Sequence, residues 1–253
     1  MKRFRATTLG LFALLTLAGP AFAADPEPTI DELLDATDDV ARGESSQATI
    51  SMQVKTDRFE RTMKMRALSK GTDNSLITIL EPAKDAGTST LKVGDNLWNY
   101  LPKVDRTMKI PAGMMGGSWM GSHFSNDDLV KQSRMSEDYT ATLTQKPTPE
   151  AKEQPWIIEL VPKPDAPVVW GKVVVTIAAD RVPVSIEYFD EKGGLQRTMG
   201  FSDVKEIDGR KVPMLMTLTP GDKPGEYTKI AYEELQFDVD LPDKTFTLQA
   251  LKR

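Results

Sequence analysis

His123 is the only imidazole in a chain of 253 residues that contains no cysteine. That narrows the chemistry open to its side chains. A histidine cluster or thiolate site for a metal is excluded, as are a disulfide scaffold, a thiol nucleophile and lipid attachment through cysteine. His123 lies near Ser118, Ser122, Ser125, Asp127 and Asp128, the residue types of a hydrolytic triad. The spacing does not fit one. Gly117-Ser118-Trp119-Met120-Gly121 is no Gly-x-Ser-x-Gly elbow, and its flanks are Gly-rich loop instead of a strand and a helix. Asp127-Asp128 offers oxygen ligands for a hard cation, but no EF-hand register surrounds the pair, and carboxylates at a helix start have a structural role of their own. No Gly-Lys-Ser/Thr follows the glycines, so a phosphate loop is absent. The expectation is no catalytic residue, no metal and no cofactor.

Lys103, Arg106 and Lys109 surround Trp98 and Tyr100 in a basic-aromatic pattern that superficially suits nucleic acid. The chain carries 32 basic against 37 acidic side chains, with a pI near 5.1, which argues against a polyanion partner. Strand-face charges or contacts to a lipid headgroup are the better readings of these three basic residues.

The N-terminus reads as an address. Lys2, Arg3 and Arg5 precede the apolar run Leu9–Ala18, and Ala21-Phe22-Ala23 has the small-x-small form of a signal-peptidase site. The run is short of the ~20 residues that span a ~30 Å hydrocarbon core, which disfavours the alternative of an uncleaved anchor. Cleavage after Ala23 would leave 29 basic and 37 acidic groups, a net −8. A soluble exported domain over residues 24–253 is expected, unacylated for want of a cysteine.

The elements that position these residues follow from periodicity. Ile30, Leu33, Leu34, Thr37 and Val40 recur at helical spacing, with Thr29 and Glu32 as a capping box and Gly43 as the stop, which predicts a helix over 29–42. Beyond Gly43 the period changes to two. Ile50, Met52 and Val54 alternate with polar residues, and Met63, Met65 and Ala67 do the same after a turn near Thr56-Asp57. Strands follow over 75–80, 88–93, 96–101, 106–110, 139–145, 156–161, 169–177, 182–189, 195–204, 211–218 and 226–237, divided by Pro, Gly and Asp-Gly breakers. A dozen or so strands with short turns and few helices imply antiparallel meander pairing: a mainly β chain with one large curved sheet or barrel, or else a sandwich.

One segment breaks the alternation. Residues 111–124 hold four glycines together with Met114, Met115, Trp119, Met120 and Phe124. Such a run is too flexible for a strand and too apolar to lie in water. It reads either as a loop packed on its own core or as an adaptable lid, and the methionine clustering favours the lid: four of the eleven methionines after residue 23 fall between Met108 and Met120. Asn126–Val130 reads as the first turn of a short helix. Met52, Met63, Met65, Met214 and Met216 share the inward parity of predicted strands. Methionine specifies rigid packing poorly and suits a wall facing flexible chains.

These residues resemble a known family. The strand pair Val93–Pro102 and Asp105–Ile110, the run Gly117-Ser118-Trp119-Met120-Gly121-Ser122-His123-Phe124-Ser125-Asn126-Asp127-Asp128-Leu129 and the ending Leu241-Pro242-Asp243-Lys244-Thr245-Phe246-Thr247 are similar to the LolA-like, outer-membrane lipoprotein-sorting proteins. The resemblance covers most of 45–253. It implies an incomplete β-barrel covered by helices and loops, with an apolar cavity for lipid or lipoprotein acyl chains, and a periplasmic carrier in a Gram-negative bacterium, not an enzyme. It also implies transient contact with membranes and an inner-membrane transporter partner of the RND/MMPL type. Trp98, Met114, Met115, Trp119, Met120 and Phe124, with Met52, Met63, Met65, Met214 and Met216, are then the expected cavity and lid. The familiar motif carries an acidic residue after Gly-Ser, where this chain has His123. For the buried arginine associated with lid closure in the sorting chaperone, Arg58, Arg61 and Arg66 are the nearby candidates, without a matching motif. A lipid-sensing accessory subunit with the same cavity and no transport role is the alternative function.

Overall fold

The computed structural model describes residues 27–131 and 135–252; the proposed signal peptide lies outside them. Helix α1 (Ile30–Asp39) starts at the capping box read from the sequence: the Glu32 amide donates to Thr29 Oγ1 (3.2 Å) and the Thr29 amide to Glu32 Oε2 (2.8 Å). Its apolar stripe buries Leu33 and Leu34. The helix is shorter than its periodicity suggests, and a turn carries the chain to Gly43, whose φ of +58° suits glycine.

Thirteen strands follow: β1 (Ser45–Lys55), β2 (Glu60–Lys70), β3 (Asn74–Glu81), β4 (Ser89–Val93), β5 (Asn96–Leu101), β6 (Arg106–Lys109), β7 (Tyr139–Gln145), β8 (Trp156–Pro162), β9 (Lys172–Ile177), β10 (Pro183–Phe189), β11 (Leu195–Ile207), β12 (Arg210–Pro220) and β13 (Tyr227–Phe237). They form one antiparallel sheet in the order β6-β5-β4-β3-β2-β1-β13-β12-β11-β10-β9-β8-β7. The sheet is curved and unclosed, and the sandwich alternative falls away. The first and last strands pair at its middle, so its free edges are β6 and β7.

Alternation of burial along β1 shows why these residues make strands: Ala48, Ile50, Met52 and Val54 point to the concave face, where Ile50 lies opposite Met65 and Met52 opposite Met63. The main core fills that face. On the convex face of β2–β5, Leu68, Leu76, Leu91 and Tyr100 form a second cluster with Phe246 and Leu251 from two 3-10 turns near the C-terminus. Part of the sheet is therefore covered on both faces.

Two boundaries differ from expectation. The strand expected from Val169 begins at Lys172, because Val169 and Trp170 peel away and Trp170 packs on Tyr188 (ring centroids 5.3 Å). Strand β11 runs on to Ile207, past Asp203, which has φ +54° and is unpaired in the ladder while the register is kept on either side of it.

Candidate functional site

Every connection but one joins neighbouring strands. The exception, 110–138, must carry the chain from edge β6 to edge β7, and this is the stretch that breaks the alternation in the sequence. It contains two 3-10 turns (Ala112–Met114 and Trp119–Gly121), α2 (Asp128–Lys131) and α3 (Met135–Asp138). A four-glycine loop read by composition alone is mobile; this one is knitted together. The Trp119 amide donates to the Phe124 carbonyl (2.8 Å), the Asn126 amide to that of Gly117 (2.9 Å) and the Asp127 amide to that of Met115 (2.8 Å). Asn126, itself buried, also sends its side-chain amide to the carbonyls of Met114 and Gly117. A Cβ on Gly117 would stand 3.1 Å from the Met114 carbonyl oxygen, so glycine here permits close packing more than motion.

Three contacts fasten this cover to the sheet. Trp119, only 2% exposed, inserts into the core and its indole N–H donates to Thr90 Oγ1 on β4 (3.1 Å). At the neighbouring turn, Met120 (φ +49°) and Gly121 (φ +69°) are both left-handed, and the Met120 carbonyl accepts from the Arg61 guanidinium on β2. Arg197 on β11 grips Asp128 at the start of α2 through both nitrogens (2.8 and 2.5 Å), while its guanidinium lies over the rings of Trp170 (4.6 Å) and Tyr188 (4.3 Å). Asp128 also accepts from the Ser125 amide and hydroxyl. Burial pushes the Asp128 carboxyl up, but the hydrogen bonds and charge of Arg197, helped by Ser125, outweigh it and hold the group below the usual carboxylate range. Burial likewise raises the neighbouring Tyr139 hydroxyl to about 12.

His123 makes a fourth link, to the start of β13. Its amide donates to Thr228 Oγ1 (3.0 Å), its Nδ1 lies 2.8 Å from the same oxygen, and its Nε2 lies 2.9 Å from Glu226 Oε2. The bond to His123 and a second from the Asp57 amide hold the Glu226 carboxyl low. Hydroxyl, imidazole and carboxylate stand in triad order, yet Thr228 is fully buried and its oxygen is engaged with the cover itself. The serines and aspartates near His123 in sequence are not its partners here.

Two hollows flank the cover. A largely apolar cavity of about 160 Å³ lies between it and the concave face, with Ala48, Ile50, Ile77, Trp119, Leu129 and Ile230 among its walls. A wider groove of about 630 Å³ lies on the other side, bounded by Met115, His123, Trp170, Arg197 and Leu218. Phe124 and Asp128 line both, so they form the partition.

Of the residues singled out from sequence, Trp119, Phe124 and Met216 line the cavity and Met115 with Phe124 lines the groove. Met52, Met63, Met65 and Met214 are buried in the main core, and Met120 packs against it. Trp98 packs on the convex-face cluster with Lys109 over its ring (5.7 Å), and Met114 is 60% exposed. Among the arginines expected near a lid, Arg61 touches the cover, while Arg58 and Arg66 are exposed. Sequence reasoning missed Arg197, though a signal was there: it shares the inward parity of Met199 on β11, where a charge needs a buried partner. Among the described residues, no cluster of three or more His, Cys, Asp or Glu could hold a metal, and no helix is long and apolar enough to cross a membrane.

An unclosed sheet with a covered apolar hollow defines a class of fold, the incomplete β-barrel, and comparison with known proteins narrows it. A family model described as that of an uncharacterized protein matches residues 71–253. A DUF1329 family protein from Desulfovibrio piger is 25% identical, with a TM-score of 0.75, over 87% of this chain and 96% of that one. A LolA superfamily protein from Nitrosomonas europaea is 24% identical with a TM-score of 0.71, over 88% and 100%. An outer membrane lipoprotein-sorting protein domain from Vibrio parahaemolyticus is 26% identical with a TM-score of 0.70, over 87% and 98%. No curated protein matches the sequence. The chain belongs to the family of that model, and its fold is the one seen in the LolA-like, outer-membrane lipoprotein-sorting proteins.

Proposed function

We propose that the protein is a periplasmic carrier that shields acyl chains of lipids or lipoproteins on their way towards the outer membrane, and is not an enzyme. The observation that carries this reading is the apolar cavity under a cover that ties together the two free edges of the sheet. Each methylene moved from water into such a hollow contributes about 0.8 kcal/mol, so a chain of modest length gives useful affinity without covalent chemistry. A void of about 160 Å³ is the size of one that holds a benzene ring, too small for a whole acyl chain. Loading therefore requires the partition at Phe124 and Asp128 to shift, joining cavity and groove. A cover fastened by a few polar contacts suits a cargo that must also be released.

The N-terminal address supports export, residues 24–253 are read as the carrier domain, and the family resemblance supports an inner-membrane RND/MMPL-type transporter as partner. The test is transfer of a fluorescent acyl lipid from donor to acceptor vesicles by the purified mature chain. Transfer that rises in proportion to protein concentration supports the carrier. Binding without transfer would favour the lipid-sensing accessory role, and neither would remove both.

A further inference from the structure

The cavity is not apolar throughout. At the end beside the β2–β3 turn its wall is made by Arg42, Ser46, Ser69, Thr72 and Lys92. Ser46 and Ser69 face each other across β1 and β2 with their hydroxyls 2.7 Å apart. Lys92, on β4 opposite Ser75, is only 5% exposed and donates to the Thr72 carbonyl (2.5 Å). On its other side an adjoining polar hollow holds Asp73, Asp95 and Glu137. Arg42, half-buried just after α1, makes no ion pair with any described residue. A lysine is rarely this buried, and a guanidinium at the end of an apolar hollow has no partner there to justify its place. Two cations and three hydroxyls at one end, with Ile50, Trp119, Phe124, Met216 and Ile230 further in, are complementary to a molecule with an anionic head and an apolar tail.

We propose that Arg42 and Lys92 form a head-group site for a carboxylate or phosphate, which makes the ligand an anionic amphiphile with its chain directed into the cavity. This rests on the reading of the cavity as an acyl site. Arg42 supplies the planar, two-pronged contact; Lys92, held by Thr72, supplies fixed positive charge at the end of the cavity. A neutral alcohol of the same chain would fill the same apolar space and leave Arg42 unused.

The test is calorimetric titration of the mature chain with dodecanoate, dodecyl phosphate and dodecanol below their micellar concentrations, repeated for Arg42→Gln. The site predicts that at least one anion binds about tenfold or more tightly than dodecanol, as one charge-assisted contact implies. Arg42→Gln should erase most of that preference and leave dodecanol unchanged. The tighter anion tells a carboxylate head from a phosphate head. Equal affinity for all three ligands, or an anion preference that survives Arg42→Gln undiminished, would overturn the head-group assignment while the acyl cavity stands. Binding of none of them would overturn the acyl reading as well.

Discussion

Arg197 and Asp128 meet in a two-pronged ion pair that joins β11 to the first residue of α2, tying the sheet to the segment that bridges its edges. Both side chains are largely buried, so removing one partner leaves a charge stranded. Asp128→Asn should destabilise the protein by about 3–5 kcal/mol. Replacing both, as Asp128→Leu with Arg197→Met, should recover much of that, because an apolar pair needs no compensation. Urea unfolding of the three proteins measures it. A double variant as damaged as the single one would mean that packing of Arg197 on Trp170 and Tyr188, and not its charge, holds the cover.

The same pair sets an acid limit. The folded Asp128 carboxyl titrates below its ordinary value. A depressed carboxyl contributes its full stabilisation above the unfolded pKa, about 3.9, and loses it as the pH falls through the folded value. The stability difference between wild type and Asp128→Asn should be flat from about pH 7 to 5 and shrink below about pH 4. A difference already shrinking between about pH 7 and 5 would assign the latch to another group.

Trp119 gives a third expectation. Its indole N–H has Thr90 Oγ1 as acceptor inside the core. Thr90→Val keeps the shape and removes the acceptor, so stability should fall by about 1–3 kcal/mol. Trp119→Ala should cost about 3–5 kcal/mol, the range for emptying an aromatic core site. Thermal and urea unfolding decide this. A loss under about 0.5 kcal/mol for Trp119→Ala, the ordinary surface value, would show that the cover detaches freely in solution.

Much of this was legible in the sequence, for physical reasons. Period-two alternation marks half-buried strands wherever one face is wet, so the thirteen strands stand close to their expected positions, the start of β9 and the end of β11 apart. Thr29 and Glu32 announce their helix because a capping box is local chemistry. What the sequence hides is long-range. Ser118, Asp127 and His123 sit together in sequence, but the partners of His123 are Thr228 and Glu226, more than a hundred residues away. Glycine content suggests freedom in 111–124, while the fold uses Gly117 for close approach and Gly121 for a left-handed turn. Parity alone also cannot divide the methionines into those that fill core and the one, Met216, that faces the hollow.

Phe124 separates cavity from groove. Phe124→Ala should join them, so that fluorescent acyl ligands enter faster while global stability drops by about 3–5 kcal/mol. Stopped-flow binding beside urea unfolding reads both. Unchanged entry rates would place the route elsewhere.

The central claim is that acyl chains lodge between the cover and the concave face of the sheet. It is tested most directly by loading the mature chain with a fatty acid that carries a photoreactive diazirine near its methyl end, irradiating, and mapping the labelled peptides by mass spectrometry. The account predicts labels on Trp119, Phe124, Met216 and Ile230, the residues that wall the hollow. Labels confined to exposed Met114, or to Val184 and Val204 on the outer surface, would contradict it.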